Sequence, residues 1–204
     1  MNPLNSIVGT IVAGVVLAIV LVLVTMGEHA VGFPAVNSVM IWLHVLAGIT
    51  WIGLLYYFNF VQVPALAQAA GDSGGPGGAG ITKYVAPRAL AWFRWGAVVT
   101  WLSGAAFLLH RGQLDDAFAL GMLTDPVDPY ALTIGMGAWL GTVMLFNVWV
   151  LIWPNQKKIL GLVEASADEI AKGKRVAFLA SRTNTLLSIP MVMCMVGAGH
   201  GFFM

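Results

Sequence analysis

Charge is what this sequence has least of. Asp, Glu, Lys and Arg make up 9% of its 204 residues, against about 25% in ordinary soluble domains. A soluble globule of this size needs more polar exterior than that, which excludes a soluble enzyme and a disordered chain. The net charge of +1 leaves no basic patch able to track phosphates, so nucleic acid is excluded as a partner. Cysteine is nearly absent, with Cys194 standing alone. There is therefore no disulfide framework, no Cys-x-x-Cys redox pair and no C-x-x-C-H for covalent haem attachment. The segment 68–80, QAAGDSGGPGGAG, lacks the residue order of a phosphate-binding loop and reads as a flexible Gly-rich linker. No internal repeat at a fixed period is evident.

What is present is apolar: 59% of residues are hydrophobic and the mean hydropathy is +0.84. About 20 apolar residues make a helix that crosses a bilayer. Five stretches qualify, at about 7–26, 38–60, 89–109, 131–153 and 185–203. The expected fold is all-α, a polytopic protein with one transmembrane domain over residues 1–204. It has five transmembrane helices, and spans two to five form a four-helix bundle core. The first span follows MNPLNS, which has no Lys or Arg, and its apolar run exceeds that of a signal peptide. Between spans four and five, Ile159, Leu162, Val163, Ile170 and Phe178 recur at roughly helical spacing. Residues 157–178 are therefore expected to form an amphipathic surface helix.

Nine of the ten Lys and Arg residues flank the loops after spans two and four; only Arg111 falls on the other side. The positive-inside rule then puts the N-terminus in the cytoplasm and the C-terminus outside, in the multi-pass setting of a bacterial inner membrane. The outer loop 111–129 is acidic, with Asp115, Asp116, Asp125 and Asp128. Trp92, Trp95, Trp149 and Trp153 fit an inner interfacial belt and Trp42 an outer one. Trp51 and Trp101 fall mid-span, where they pack against helices or a ligand.

In this frame His29, His44, His110 and His200 all occupy the outer half. An ionisable group within a span is costly and faces a partner or cavity; His44 is the clearest case. Helical stepping from His44 gives Gly48 and Trp51, with Gly48 leaving room beside the imidazole. Stepping back from His200 gives Met193, Ile189, Leu186 and Arg182. Two imidazoles from separate helices are a standard way to grip haem iron. His44 and His200 are the expected axial ligands of one haem b, with His110 as the substitute. Trp51, Gly48, Met193 and Trp101 would line its pocket. Copper is the lesser alternative, because Met is common filler in membrane helices. Asn59, Asn147, Arg182 and Asn184 form an inner-half polar set expected to fasten helices by hydrogen bonds.

Three ordered segments carry a resemblance. W42-L-H-V-L-A-G-I-T-W-I-G-L-L-Y-Y57, N147-V-W-V-L-I-W-P-N-Q-K-K158 and R182-T-N-T-L-L-S-I-P-M191 resemble the urate oxidase N-terminal membrane-domain family. The resemblance implies a membrane module of urate hydroxylases, whose complete enzymes pass electrons to a C-terminal cytochrome c domain. The His-x6-Trp-x-Gly pattern at His44, Trp51 and Gly53 is similar to four-helix, haem-containing protoporphyrinogen oxidases. D-type copper-resistance membrane proteins have a related look. In those oxidases the matching His is a proposed haem ligand.

The leading expectation is a membrane haem b protein or subunit carrying electrons near the periplasmic face. It would work in a larger redox complex or with a cytochrome c docked on the acidic loop. One alternative is a cofactor-free accessory subunit, bound to other membrane subunits or to copies of itself. Another is a urate or porphyrin oxidoreductase.

Overall fold

A computed structural model describes residues 2–26 and 33–201, with side chains over 2–25 and 36–201. His29 lies outside the described residues. The chain divides into two compact units, 1–40 and 41–204. No strand occurs among the described residues, so the all-α expectation holds.

The first unit holds helix α1 (Ile7–Met26), which follows a short turn, Pro3–Asn5, capped by the Asn2 side chain. Its sequence, IVGTIVAGVVLAIVLVLVTM, is apolar on every face and uncharged, the pattern of a helix surrounded by hydrocarbon.

In the second unit α2 (Phe33–Tyr56, begun in the first) passes through a π-helical segment, Tyr57–Gln62, into α3 (Val63–Gly71). Helix α4 (Ala86–His110) returns, and the short α5 (Leu114–Phe118) follows. The pattern then recurs. Helix α6 (Pro129–Phe146) passes through a π-helical segment, Asn147–Ile152, into α7 (Trp153–Ile159), and α8 (Ala167–His200) returns.

The π segments at Tyr57–Gln62 and Asn147–Ile152 share a cause, and a third, Ile81–Val85, likewise precedes a proline, Pro87 of α4. Pro64 and Pro154 stand just inside α3 and α7. A proline in a helix removes one backbone bond and crowds the carbonyl four residues earlier. The widened turn relieves this, with the Val63 N–H donating to Phe58 and the Trp153 N–H to Val148, each five residues back. The register matches too, since residue 147 follows residue 57 by 90. The helix-ending histidines, 110 and 200, have the same spacing. The second unit is thus two copies of one helical hairpin. This corrects the expectation of no repeat: few side chains are shared between the copies, and the period is plainest in the backbone.

Four described helical stretches are long and apolar enough to cross a membrane: Ile7–Thr25, Val36–Gly71, Pro129–Ile159 and Ala167–His200. Helix α4 is 25 residues long but carries Arg88 and Arg94. The expected surface helix over 157–178 is divided differently. Helix α7 ends at Ile159, Gly161 turns the chain at φ 69°, and residues from 167 belong to α8. The physical reason is a capping box. The Ser166 hydroxyl accepts from the Glu169 N–H (3.2 Å), and the Glu169 carboxylate accepts from the Ser166 N–H (2.9 Å).

The core draws on all four long stretches of this unit: Trp51, Leu55 and Phe58, then Phe93 and Ala97, then Met144 and Val148, then Ala180 and Met191. Small residues set the closest approaches. A Cβ on Gly96 would sit 3.4 Å from the Trp51 backbone nitrogen, and one on Gly137 would sit 3.2 Å from the Cys194 Cβ. The polar set of Asn59, Asn147, Arg182 and Asn184 fastens helices as expected for three members. Asn59 Nδ2 donates to Ser181 Oγ (2.8 Å), Asn147 Nδ2 to Asn184 Oδ1 (2.8 Å), and Asn184 Nδ2 to the Met144 carbonyl (3.0 Å). Arg182 instead lies 5.3 Å from the Phe178 ring of its own helix.

Candidate functional site

A cavity of about 500 Å³ opens among α2, α4, α6 and α8, within the usual range for cofactor sites. It contains His44 and His200 together, with Trp51 and Trp101 in its walls. His110, Gly48 and Met193 do not line it.

His44 is held from two sides. Its Nδ1 lies 2.8 Å from the Thr100 carbonyl oxygen. A carbonyl only accepts, so Nδ1 carries the proton and the neutral ring keeps its lone pair on Nε2. That nitrogen makes no hydrogen bond among the described residues. The ring lies against Gly104, where a Cβ would come within 2.8 Å of its Nδ1 and Cε1. A backbone carbonyl fixing one ring nitrogen while the other is presented is how proteins orient a metal-ligating imidazole.

His200 is placed less deeply. It is exposed, and its Nδ1 lies 2.9 Å from the Val196 carbonyl of its own helix. It follows Met191 by nine residues, two and a half turns at about 3.6 residues per turn. The two side chains therefore leave α8 on opposite sides, and His200 reaches the cavity only at its edge. The same arithmetic explains Met193. Two residues past Met191, it is 47% exposed on the outward face, while Met191 and Met195 turn into the cavity. Gly48 is spent on helix packing, with its Cβ direction 3.7 Å from the Thr100 methyl. Trp101 donates from Nε1 to Thr142 Oγ1 (2.8 Å). Trp51 is 2% exposed, and its Nε1 has no partner among the described residues.

Several residues escaped the sequence reading. Thr100, Gly104, Leu108 and Arg111 lie at helical spacing on one face of α4 and all line the cavity, and Tyr130 joins them from the start of α6. Their helical spacing alone does not say which face of α4 meets a cavity. Among the described residues no group of three or more His, Cys, Asp or Glu side chains is placed to hold a metal ion.

The duplicated register runs through the cavity. His44 and Ile134, Trp51 and Gly141, Trp101 and Met191, Ala105 and Met195, and Leu108 and Ala198 are pairs 90 residues apart, and every member lines it. The cavity therefore lies between the two hairpins, with an imidazole on one side and Ile134 in its place on the other.

A family model described as urate oxidase N-terminal matches residues 31–114 and 121–204. Those two segments start 90 residues apart as well, 121 against 31. No curated protein and no solved structure matches the chain.

Proposed function

The chain belongs to the urate oxidase N-terminal family, and from that premise and the geometry around His44 we propose that it is a membrane haem b protein that carries electrons. The observation that carries the reading is the imidazole of His44. It is fixed through Nδ1 at 2.8 Å to the Thr100 carbonyl and presents Nε2 in a mostly apolar cavity. A haem brings four nitrogens of its own, so one or two imidazoles suffice where a bare ion needs more protein donors. Met191, Met195, Phe107 and Leu108 would pack the macrocycle, and Arg111 and Tyr130 are the groups suited to its propionates. When bound, the haem supplies a one-electron couple. The Thr100 carbonyl would tune that couple through the basicity of the ring it holds. His200, at the edge of the cavity, would be the second donor.

In the same reading the protein crosses the bacterial inner membrane five times, with its N-terminus inside. The cavity then opens toward the periplasm, beside the acidic loop that would dock a cytochrome c. The test is a pyridine haemochrome assay on purified wild type and His44→Ala. We expect about one haem b per chain in the wild type and almost none in the folded variant. A haem-free wild type from haem-replete cells, or a variant with full haem content, removes the reading. The family match favours one second reading, an oxidoreductase acting on urate. Turnover of urate with an added electron acceptor would establish it.

A further inference from the structure

A second cavity, of about 710 Å³, lies at the other end of the same bundle. Its Gln62 lies 18 residues beyond His44 on one continuous helical stretch, roughly 27 Å at about 1.5 Å per residue. One part of its wall is apolar and aromatic, with Phe58 and Phe93 meeting edge to face at 5.5 Å. Two features are left over from folding. Gln62 is 8% exposed, and its Oε1 is buried with no hydrogen-bond partner among the described residues. A buried amide oxygen left unpaired is costly, so a ligand bringing a hydroxyl or N–H donor would recover that cost. Lys174 and Arg175 also line the cavity. Neither forms an ion pair among the described residues, where the one pair is Lys158–Glu169. Of the other two amides in the wall, Asn59 is already committed to the Leu55 carbonyl and Ser181, and Gln156 is only half-buried.

We propose that this cavity binds the head of an acidic, hydroxyl-bearing phospholipid, with an acyl chain along its aromatic wall. A phosphodiester answers the two unpaired cations, and a head-group hydroxyl answers Gln62 Oε1. Basic pockets between membrane helices are suited to anionic head groups. Charge separates this ligand from a quinone, whose neutral ring would leave Lys174 and Arg175 unanswered. The assignment is independent of haem binding.

The experiment is native mass spectrometry of the full chain in detergent with added lipids. We expect phosphatidylglycerol to be retained over phosphatidylcholine. It should also be retained over phosphatidylmethanol, which has the same charge and no head-group hydroxyl. The double variant Lys174→Ala/Arg175→Ala should weaken phosphatidylglycerol retention by about thirtyfold, from two surface cations. Gln62→Leu, which replaces an unpaired amide by an apolar side chain, should keep the fold. It should abolish the preference over phosphatidylmethanol while leaving phosphatidylmethanol itself bound. Three results would overturn the proposal: equal retention of phosphatidylcholine, displacement by soluble glycerol phosphate, or preferential retention of decylubiquinone.

Discussion

Gly104 and His44 form a lock at the residue scale. The imidazole occupies the space a side chain on α4 would fill, with Nδ1 and Cε1 each 2.8 Å from a Cβ at Gly104. Gly104→Ala must displace the ring and break its bond to the Thr100 carbonyl. Overpacking of this kind costs about 1–3 kcal/mol. In the proposed haem protein the variant should lose much of its cofactor, read from the Soret absorbance per chain, while its helical circular dichroism is unchanged. His44 was legible in the sequence because a histidine inside an apolar run is conspicuous. Its partners were not, since a threonine carbonyl and a glycine without a side chain leave no chemical mark on a sequence. Met193 falls outside the cavity, and the reason is related. Stepping from His200 follows the outward face of α8, and only the packed core shows that Met191 and Met195 face inward.

At the scale of elements, polar side chains and small residues fix how the helices meet. Asn147 donates to Asn184, which donates to the Met144 carbonyl, so α8 is tied to α6 where the π segment begins. Asn184 is fully buried. Asn184→Ala should lower stability by about 1–3 kcal/mol because it leaves partners unpaired. A double-mutant cycle with Asn147→Ala should give a coupling of about 0.6 kcal/mol, typical of hydrogen bonds between membrane helices. Both can be read from unfolding in mixed micelles. Gly135 plays a steric part, since a Cβ there would run into the Ala117 carbonyl of α5. Gly135→Ala should therefore push α5 off α6 and break the hydrogen bond that Trp139, itself on the exposed face, donates from Nε1 to the Phe118 carbonyl at 3.1 Å. A change in the near-ultraviolet circular dichroism of tryptophan, absent in Trp139→Phe, would record this. The charges within α4 are accommodated in part by stacking, with the Arg94 guanidinium 3.8 Å from the Trp153 ring. The apolar stretches were legible from hydropathy alone. Their ends were not, because capping at Ser166 and the proline-bearing π turns extend helices through residues too polar to be counted as spans.

At the scale of the molecule, the duplicated hairpin makes a prediction that its two halves can be exchanged at the site. Ile134 stands where His44 stands, and Cys194 stands where Gly104 stands, each 90 residues on. In a His44→Ala background, Ile134→His combined with Cys194→Gly should restore part of the lost haem, measured by pyridine haemochrome. Ile134→His alone should restore less, because its ring would lack the notch. No recovery in either variant would mean that the hairpins are equivalent in backbone and not in chemistry. The sequence hid this relation because the copies share a proline, a π turn and a terminal histidine but almost none of the residues between.

Two hairpins facing each other across one hollow also describe what a half-length ancestor would have been. Such a chain would have closed the hollow by pairing with itself, presenting the same imidazole from both sides of a true two-fold axis. Joining such copies into one polypeptide would remove that symmetry and leave each wall free to change separately. At the register of His44 the other wall carries Ile134, and Met191 and Met195 answer Trp101 and Ala105.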